Sequence, residues 1–193
     1  MKSNVRTIGI DDAAFQREKS SKAFVFGVII RGYSLVEGVL RTEVEVDGKD
    51  ATERICQMLI QSKFHNQVKS IFLGSATIAA FNIIDLNFLY EHTSIPVVTI
   101  LSQIPNEDEV KNAISHLVDW KKRYEILSSN PPIQQINFVN QLGRKCSMYI
   151  QYAGFERITE VQKLLEIASY SSCIPECLRL ADLIGQSFKS FII

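Results

Sequence analysis

The stretch Ala23-Phe-Val-Phe-Gly-Val-Ile-Ile30, with the turn Arg31-Gly32-Tyr33-Ser34 and the run Leu35 to Val46, decides the fold class. Both apolar runs are rich in β-branched and aromatic residues, which is typical of strands. The run Arg6 to Asp11 before them is followed by Asp12, so it ends in two acids, and it predicts a buried first strand. Three strands joined by short connections predict an antiparallel meander.

After Asp47-Gly48-Lys49 the apolar pattern changes from a period of two to a helical period. We predict a helix over 50–60 with Asp50 as its N-cap. The segments that follow are predicted as strands over 68–73, 96–101 and 148–152, and as helices over 82–91, 107–127, 158–169 and 176–188. Parallel strands need crossover helices, so the order βββαβαβα predicts a mixed five-stranded sheet with helices on both faces, the ribonuclease H-like arrangement.

Composition limits the class of protein. The 193 residues suit one domain, 1–193, and no apolar run is long enough for a membrane helix. The N-terminus lacks the apolar region of a secretory signal, so we expect a cytoplasmic protein without membrane contact. Lysine plus arginine equals aspartate plus glutamate at 21 each, so binding of nucleic acid would depend on local charge. We interpret the four cysteines as thiols.

Five short motifs occur in an order that points to a known family. They are Ile8-Gly9-Ile10-Asp11-Asp12, Val28-Ile29-Ile30-Arg31-Gly32, Val46-Asp47-Gly48-Lys49-Asp50-Ala51-Thr52, Ala79-Ala80-Phe81-Asn82, and Ile174-Pro175-Glu176-Cys177-Leu178-Arg179-Leu180-Ala181. Together the motifs resemble the domain-of-unknown-function family numbered 99, which is mainly archaeal and distantly similar to endonuclease V. The match runs from Arg6 to about Gln186.

The resemblance implies a divalent-metal site at the ends of the strands. In endonuclease V-like enzymes, an acid ending the first strand, an acid after the third and an aspartate ending the fourth converge on Mg²⁺ or Mn²⁺. By resemblance Asp11 takes the first position, and Asp47 or Asp50 takes the second. At the third position the family usually has Leu-Asp-Gly, whereas this chain has Leu73-Gly74-Ser75, so we expect weakened or abolished metal binding.

Asp11 and Asp12 adjoin on an extended segment, so their side chains point to opposite sides and we expect only one to line a given site. The resemblance favours Asp11 as that residue. Arg31, Glu176 and Arg179 fall in the family's motifs and are candidates for contact with nucleic acid. Glu176 also suits the first turn of a helix that begins at Pro175, and Arg179 can pair with Asp182.

These features leave three functions open. The first is nucleic-acid processing, on DNA or RNA, with Asp11 and Asp47 or Asp50 as catalytic acids and Asp11 and Asp50 as metal ligands. The second is a binding module of the same fold that has lost hydrolysis through Gly74. The third is an interaction protein, such as a homodimer, that assembles through the apolar tail Ser187 to Ile193, which otherwise packs on its own core.

Overall fold

The computed structural model describes residues 4–191. Its strands are β1 (Arg6–Asp12), β2 (Lys22–Arg31), β3 (Leu35–Glu45), β4 (Val68–Leu73), β5 (Thr77–Ile78), β6 (Asn82–Ile83), β7 (Val97–Leu101), β8 (Gln134–Val139) and β9 (Lys145–Ala153). Its helices are α1 (Ala51–Ile60), α2 (Leu86–Thr93), α3 (Glu107–Ile114), α4 (Trp120–Ser129), α5 (Ile158–Ala168) and α6 (Glu176–Gln186), with a short 3₁₀ helix at Ser187–Phe191. None of the helices within this part of the chain has the length and apolarity of a membrane span.

Seven strands form one mixed sheet in the order β3-β2-β1-β4-β7-β9-β8. The first three strands are the predicted antiparallel meander, and β1, β4 and β7 are parallel neighbours. Strands β9 and β8 then continue the sheet in antiparallel pairing. The predicted combination of a meander, parallel strands and crossover helices is confirmed.

Helices cover both faces of this sheet, as predicted. On one face, Ile8 and Ile10 of β1 pack in a core with Ile55 of α1 and Leu89 of α2. On the other face, a second core joins α5 and α6 to the sheet. Its members from β2, α5 and α6 include Val28, Ile30, Leu164, Leu178 and Ala181. Strand β1 is therefore enclosed between two layers of helix.

Helix α6 lies against β1 at backbone distance. A Cβ atom added to Gly9 would come within 2.1 Å of the backbone nitrogen of Leu178. Further along, a Cβ atom added to Gly185 would come within 2.3 Å of the carbonyl oxygen of Asp12, and Ala14 N–H donates to the carbonyl of Gly185. Only glycine permits such an approach, so these two residues fix the height and position of α6 over the end of β1.

The predicted helix over 107–127 is wrong in one respect, because the chain breaks it between Ile114 and Trp120. In this turn the Asp119 carboxylate accepts from Arg123 Nε at 2.9 Å and pairs with Lys49 Nζ at 2.8 Å. These two contacts lower the pKa of Asp119 to about 2. After the break, α4 begins at Trp120 and carries Arg123, which is buried.

The predicted helix over 82–91 begins later than expected, at Leu86. Asp85 is its N-cap and accepts from Phe88 N–H at 2.9 Å. Asn82 is buried and serves a different helix, since its Oδ1 accepts from Ala51 N–H in the first turn of α1. Asp50 occupies the N-cap position of α1 as predicted, but its side chain makes no capping hydrogen bond. Asn82 takes over that role across a long sequence separation.

The predicted sheet of five strands was too small. Strand β8 was missed, and β9 starts at Lys145, three residues before the predicted strand. In β8, the buried side chains of Ile136 and Phe138 alternate with the exposed side chains of Gln135 and Asn137. That alternation is the ordinary signal of a half-buried strand.

The interpretation of all four cysteines as thiols is wrong for two of them. Cys146 on β9 and Cys173, which precedes α6, form a disulfide. Cys56 and Cys177 are buried thiols. Burial raises the pKa of Cys177 to about 12 and that of Cys56 to about 11, so neither is a reactive thiolate.

The apolar C-terminal tail packs on its own chain in the part that the structure describes. The ring of Phe188 lies 5.5 Å from that of Phe24 and 5.4 Å from that of Phe26. Ile192 and Ile193, the end of the predicted tail, lie outside the described residues. Assembly through the tail stays a prediction.

Substitution of Gly9 tests the contact between α6 and β1. We expect Gly9→Ala to lower the free energy of unfolding by about 3 kcal/mol or more, because the new methyl group meets backbone that cannot move alone. The matched control is Gly74→Ala, at a position where an added Cβ has nothing within 4 Å. Urea unfolding measures both, and equal stability of the two variants would contradict the contact.

Candidate active site

A cavity of about 120 Å³ opens at the carboxyl ends of β1 and β4. Crevices at the carboxyl ends of parallel strands are the usual binding places in α/β sheets. The apolar part of its lining consists of Ile10, Leu73, Ile78 and Ile84. The other lining residues are Asp11, Asp12, Gly74, Ser75 and Thr77. None of these lining residues is basic, so the cavity contains two acids and no positive side chain of its own.

Asp11 and Asp12 both line this cavity, although one alone was expected to do so. Their neighbours in the sheet differ as the strand geometry predicts: Asp11 lies opposite Phe26, and Asp12 lies opposite Val25. The expectation of a single lining acid was wrong because β1 ends at the cavity, where side chains from both faces reach it. Asp11 Oδ1 also accepts from Asp12 N–H at 3.0 Å, which ties the two residues together.

The electrostatics of this pair are unusual for aspartates. Burial, and then the negative charge of Asp12, raise the pKa of Asp11 to about 7. Burial also raises the pKa of Asp12, although the Ala79 N–H, which donates to Asp12 Oδ2 at 2.7 Å, opposes the shift. A cation or a proton is therefore needed to stabilise the pair near neutral pH.

A third acid, Asp182 of α6, contributes to this field. Its negative charge raises the pKa of both Asp11 and Asp12. The sequence suggested a pair between Arg179 and Asp182, but Arg179 instead binds Glu176 at 2.6 Å, and Asp182 accepts from the amide of Gln186. Sequence reasoning missed Asp182 as a site residue. The signal was the apolar stripe Leu178, Ala181 and Gly185, which predicts that Asp182 borders the face of α6 that packs on β1.

Asp47 and Asp50 do not line the cavity. Asp47 forms a two-point ion pair with Arg17, at 2.9 and 3.0 Å, and accepts from Phe81 N–H at 3.0 Å. Asp50 accepts from Glu45 N–H at 3.0 Å and from the amide of Asn82 at 2.8 Å. Both acids are therefore engaged in the connection between β3 and α1, and their expected roles as catalytic acids or metal ligands beside Asp11 stay predictions.

The segment 79–81 links Asp47 to the cavity wall. Ala79 and Ala80 have positive φ angles of 47° and 69°, a left-handed conformation that is costly for alanine. Ala79 donates its N–H to Asp12 and accepts from Asp47 N–H, while Phe81 donates to the Asp47 side chain. The two aspartates thus hold a strained turn from opposite sides.

Arg123 secures this segment from within the protein. Only 5% of its surface is exposed, and its guanidinium donates to the carbonyl oxygens of Asp47, Gly48 and Phe81 at 2.5–2.6 Å. Asp119 supplies the balancing negative charge. In the sequence Arg123 belongs to the short basic run Lys121-Lys122-Arg123, and such runs usually lie on a solvated face. One buried arginine among two exposed lysines has no periodic signal that separates it from them.

The three candidates for nucleic-acid contact lie away from the cavity. Arg31 is opposite Arg6, at the other end of β1 from Asp11, and pairs with Glu37 at 2.9 Å. Five residues of strand separate the two ends, which is about 16 Å. Glu176 is buried at the start of α6, beside Cys177, which contacts Thr7. The structure does not bring Arg31, Glu176 or Arg179 to the two aspartates.

Comparisons with known proteins agree on a family. The family model described as Endonuclease dU matches residues 3–189. The chain belongs to the Endonuclease dU family. Among related proteins of this kind, the UPF0215 protein of Methanosarcina barkeri is 36% identical over 185 residues, covering 96% of this chain and 91% of the relative. The UPF0215 protein of Methanothermobacter thermautotrophicus is 35% identical over 186 residues, covering 96% and 88%. The predicted resemblance to an archaeal, endonuclease V-like family is confirmed.

Solved structures extend this likeness to the fold. A protein of unknown function from Archaeoglobus fulgidus has a TM-score of 0.82 and 33% identity, covering 98% of each chain. Endonuclease V from Bacillus subtilis has a TM-score of 0.62 at 10% identity, covering 97% of this chain and 81% of its own. Endonuclease V from Ciona intestinalis, in complex with DNA containing inosine, has a TM-score of 0.58 at 14% identity, covering 98% and 87%. The ribonuclease H-like fold is thereby confirmed for this Endonuclease dU family member.

The donor set at the cavity fits a divalent cation only in part. Within residues 4–191, no three acids, histidines or cysteines lie close enough together to hold a metal ion. Gly74 lines the cavity where the resemblance predicts an acid, and a Cβ added there meets open space. Magnesium in proteins is often held by one or two carboxylates together with substrate phosphates. Asp11 and Asp12 fit that arrangement, in which the cation is held weakly until phosphate is also bound.

The raised pKa of Asp11 predicts a specific dependence of stability on pH. Because its pKa rises from 3.8 to about 7 on folding, the folded state binds the proton more tightly, so stability falls as pH rises from about 4 to about 7. We expect Asp11→Asn to be more stable than the unsubstituted protein by a few kcal/mol at pH 8, and by much less at pH 4. Urea unfolding across this range, without divalent ions, measures the difference. Asp108→Asn, at an exposed acid of α3, is the control, and a gain for Asp11→Asn that is independent of pH would contradict the assignment.

Removal of Arg123 tests the support of the strained segment. Arg123→Met leaves three carbonyl oxygens without their donor and the Asp119 carboxylate with Lys49 as its remaining partner, so we expect the free energy of unfolding to fall by about 3–5 kcal/mol. In a protein of this size the melting temperature should fall by about 10 °C. Lys122→Met removes the same charge from the exposed neighbouring position and should change it little. Thermal melting followed by circular dichroism compares the two, and equal melting temperatures would refute the role of Arg123.

Proposed function

We propose that this protein is an endonuclease V-like nucleic-acid-processing enzyme that hydrolyses phosphodiester bonds at Asp11 and Asp12 with a weakly held Mg²⁺ or Mn²⁺. The observation that carries the proposal is the partly buried pair of acids at the end of β1, in a cavity without a basic side chain. Such a pair is poorly stabilised by itself near neutral pH, as the raised pKa of each acid indicates. A divalent cation would relieve that repulsion.

The acids of the cavity would have different roles in this proposed reaction. Asp11 and Asp12 would hold the cation, with Asp182 as the nearest further acid. A bound divalent ion would supply positive charge to phosphate oxygens and acidify a water molecule. Asp12 is held in position by the Ala79 N–H. Asp11, whose pKa is about 7 in the absence of metal, would have to lose its proton to bind the cation, so metal binding should strengthen as pH rises through neutrality.

The substrate class follows from the family and its structural neighbours. The family name, Endonuclease dU, points to DNA that contains deoxyuridine. The Ciona intestinalis endonuclease V was solved with DNA that contains inosine followed by a ribo-adenosine. We propose that the substrate is a DNA or RNA strand with one modified base of this kind.

A second candidate is a binding module that keeps the fold without hydrolysis. It is favoured by Gly74, which leaves the cavity with two lining acids, and by the absence of a three-residue metal cluster within residues 4–191. This candidate predicts binding of nucleic acid that is insensitive to Mg²⁺ and is not followed by cleavage.

Titration of Mn²⁺ by calorimetry distinguishes the two candidates. We expect weak binding to the unsubstituted protein, with a Kd on the order of 1 mM, and no detectable binding to Asp11→Asn. Gly74→Asp adds a carboxylate in open space at the cavity and should tighten binding about tenfold or more. Asp108→Asn is the control for loss of one surface charge.

Each protein is then incubated with oligonucleotides that contain deoxyuridine or inosine, together with Mn²⁺. Cleavage by the unsubstituted protein that disappears in Asp11→Asn supports the proposed enzyme. If only Gly74→Asp binds metal and cleaves, the binding module is the correct function and the proposed enzyme is wrong.

A further inference from the structure

The turn of a short hairpin connects the candidate active site with the segment between β3 and α1. Both residues of β5 line the cavity, and β5 pairs with β6 in antiparallel fashion. The three residues between these strands, Ala79, Ala80 and Phe81, therefore form the hairpin turn. Its backbone is left-handed at both alanines, a conformation that persists only where neighbouring contacts impose it.

The turn contacts one of the two acids of the cavity directly. Ala79 N–H donates to Asp12 Oδ2 at 2.7 Å. Ala79 is fully buried, so water does not compete for this donor. Asp12 lines the cavity, and with Oδ2 engaged its other carboxylate oxygen is left for a cation. The position of Ala79 therefore determines how the Asp12 carboxylate is oriented.

Asp47 holds both ends of this turn. Its backbone N–H donates to the carbonyl of Ala79 at 3.0 Å, and its Oδ1 accepts from Phe81 N–H at 3.0 Å. Asp47 is itself left-handed, with a φ angle of 54°. Arg17 binds the same carboxylate at two points and lies 4.6 Å from the centre of the Phe81 ring. The side chain of Asp47 is thus shared by the contacts that fix the far end of the turn.

We propose that Asp47 is a positioning residue for Asp12. Its carboxylate fixes the turn 79–81, and through the Ala79 N–H the turn holds the Asp12 carboxylate in the orientation that a cation in the cavity requires. This role differs from that of a metal ligand or catalytic acid, which the resemblance predicts for Asp47. The inference rests on the proposed function for the task of Asp12. Groups that orient a ligand from behind are typically worth about 10–100-fold in metal affinity or activity.

Two substitutions of Asp47 separate positioning from ligation. Asp47→Gly removes the carboxylate, and glycine accepts the left-handed φ angle without strain, so the variant should fold. Asp47→Asn loses the charge but keeps an oxygen that can accept from Phe81 N–H, and asparagine tolerates this backbone conformation. The matched control is Asp85→Ala, which removes a carboxylate that caps α2 and does not line the cavity.

The first measurement needs no metal. Amide hydrogen exchange followed by NMR reports how firmly the Ala79 N–H is held. We expect exchange at Ala79 to be about tenfold faster in Asp47→Gly and nearly unchanged in Asp47→Asn. The Ala13 N–H donates to the carbonyl of Phe24 at 2.8 Å, beyond the same end of β1, and should keep its rate in both variants. That amide distinguishes local loosening of the turn from a general loss of stability.

The second measurement uses Mn²⁺ and an oligonucleotide that contains deoxyuridine. For Asp47→Gly we expect the Kd for Mn²⁺ to rise about tenfold, and kcat at saturating Mn²⁺ to fall about tenfold. KM should stay within about twofold, because the turn orients Asp12 rather than the substrate. Asp47→Asn and Asp85→Ala should stay within about threefold of the unsubstituted protein in all three quantities. Rescue by asparagine is the result that a metal ligand would not give.

Three outcomes would overturn the inference. If Asp47→Asn loses Mn²⁺ binding as fully as Asp11→Asn, the Asp47 carboxylate is itself a ligand, and this comparison holds even if Asp47→Gly does not fold. If Asp47→Gly retains the Ala79 exchange rate and the Mn²⁺ affinity, Asp47 has no positioning role, and the proposed function stands as long as Asp11→Asn abolishes cleavage. If the unsubstituted protein neither binds Mn²⁺ nor cleaves, both the inference and the proposed function are wrong.

Discussion

The contact of the α6 backbone with β1 at Gly9 determines where the remaining parts of the site can lie. With no side chain between them, helix and strand approach until Leu178 nearly touches Gly9, and Gly185 meets the end of the strand in the same way. The helix then runs alongside β1 toward the cavity and carries Asp182 to the level of Asp11 and Asp12. Any larger residue at Gly9 would lift the helix and change the field on these two acids.

Acids at this end of the sheet fall into two groups with opposite electrostatics. In the first group, Asp47, Asp50 and Asp119 each form an ion pair with an arginine. These three acids have a structural role, since they stabilise the turn after β3 and the segment 79–81. Asp11 and Asp12 have no basic partner in their cavity, and burial raises the pKa of each. The presence or absence of an arginine partner therefore distinguishes the structural acids from the acids of the candidate site, which their positions in the sequence do not.

Much of the fold could be predicted because its signals are local. The apolar runs of β1 to β3, the change of period after Gly48 and the order of the five motifs are all visible along the chain. Strand β8 was missed although its alternation is local, and other errors arose where a residue acts at long range. Asn82 caps α1 rather than its own segment, and Arg123 holds carbonyl groups more than 40 residues away. Asp11 was identified by resemblance, whereas Asp182 had only an indirect signal, the apolar stripe that places it at the border of the face of α6 packed on β1.

Gly74 stands at the cavity with empty space around its α-carbon, and its backbone is not in a conformation reserved for glycine. Glycine and aspartate codons differ by a single base, so an acid can appear or disappear at this position by one mutation without disturbing the core. The architecture therefore allows the number of acids at the cavity to change by a single mutation. Lineages that share this fold can gain or lose a carboxylate there while the rest of the protein continues to fold as before.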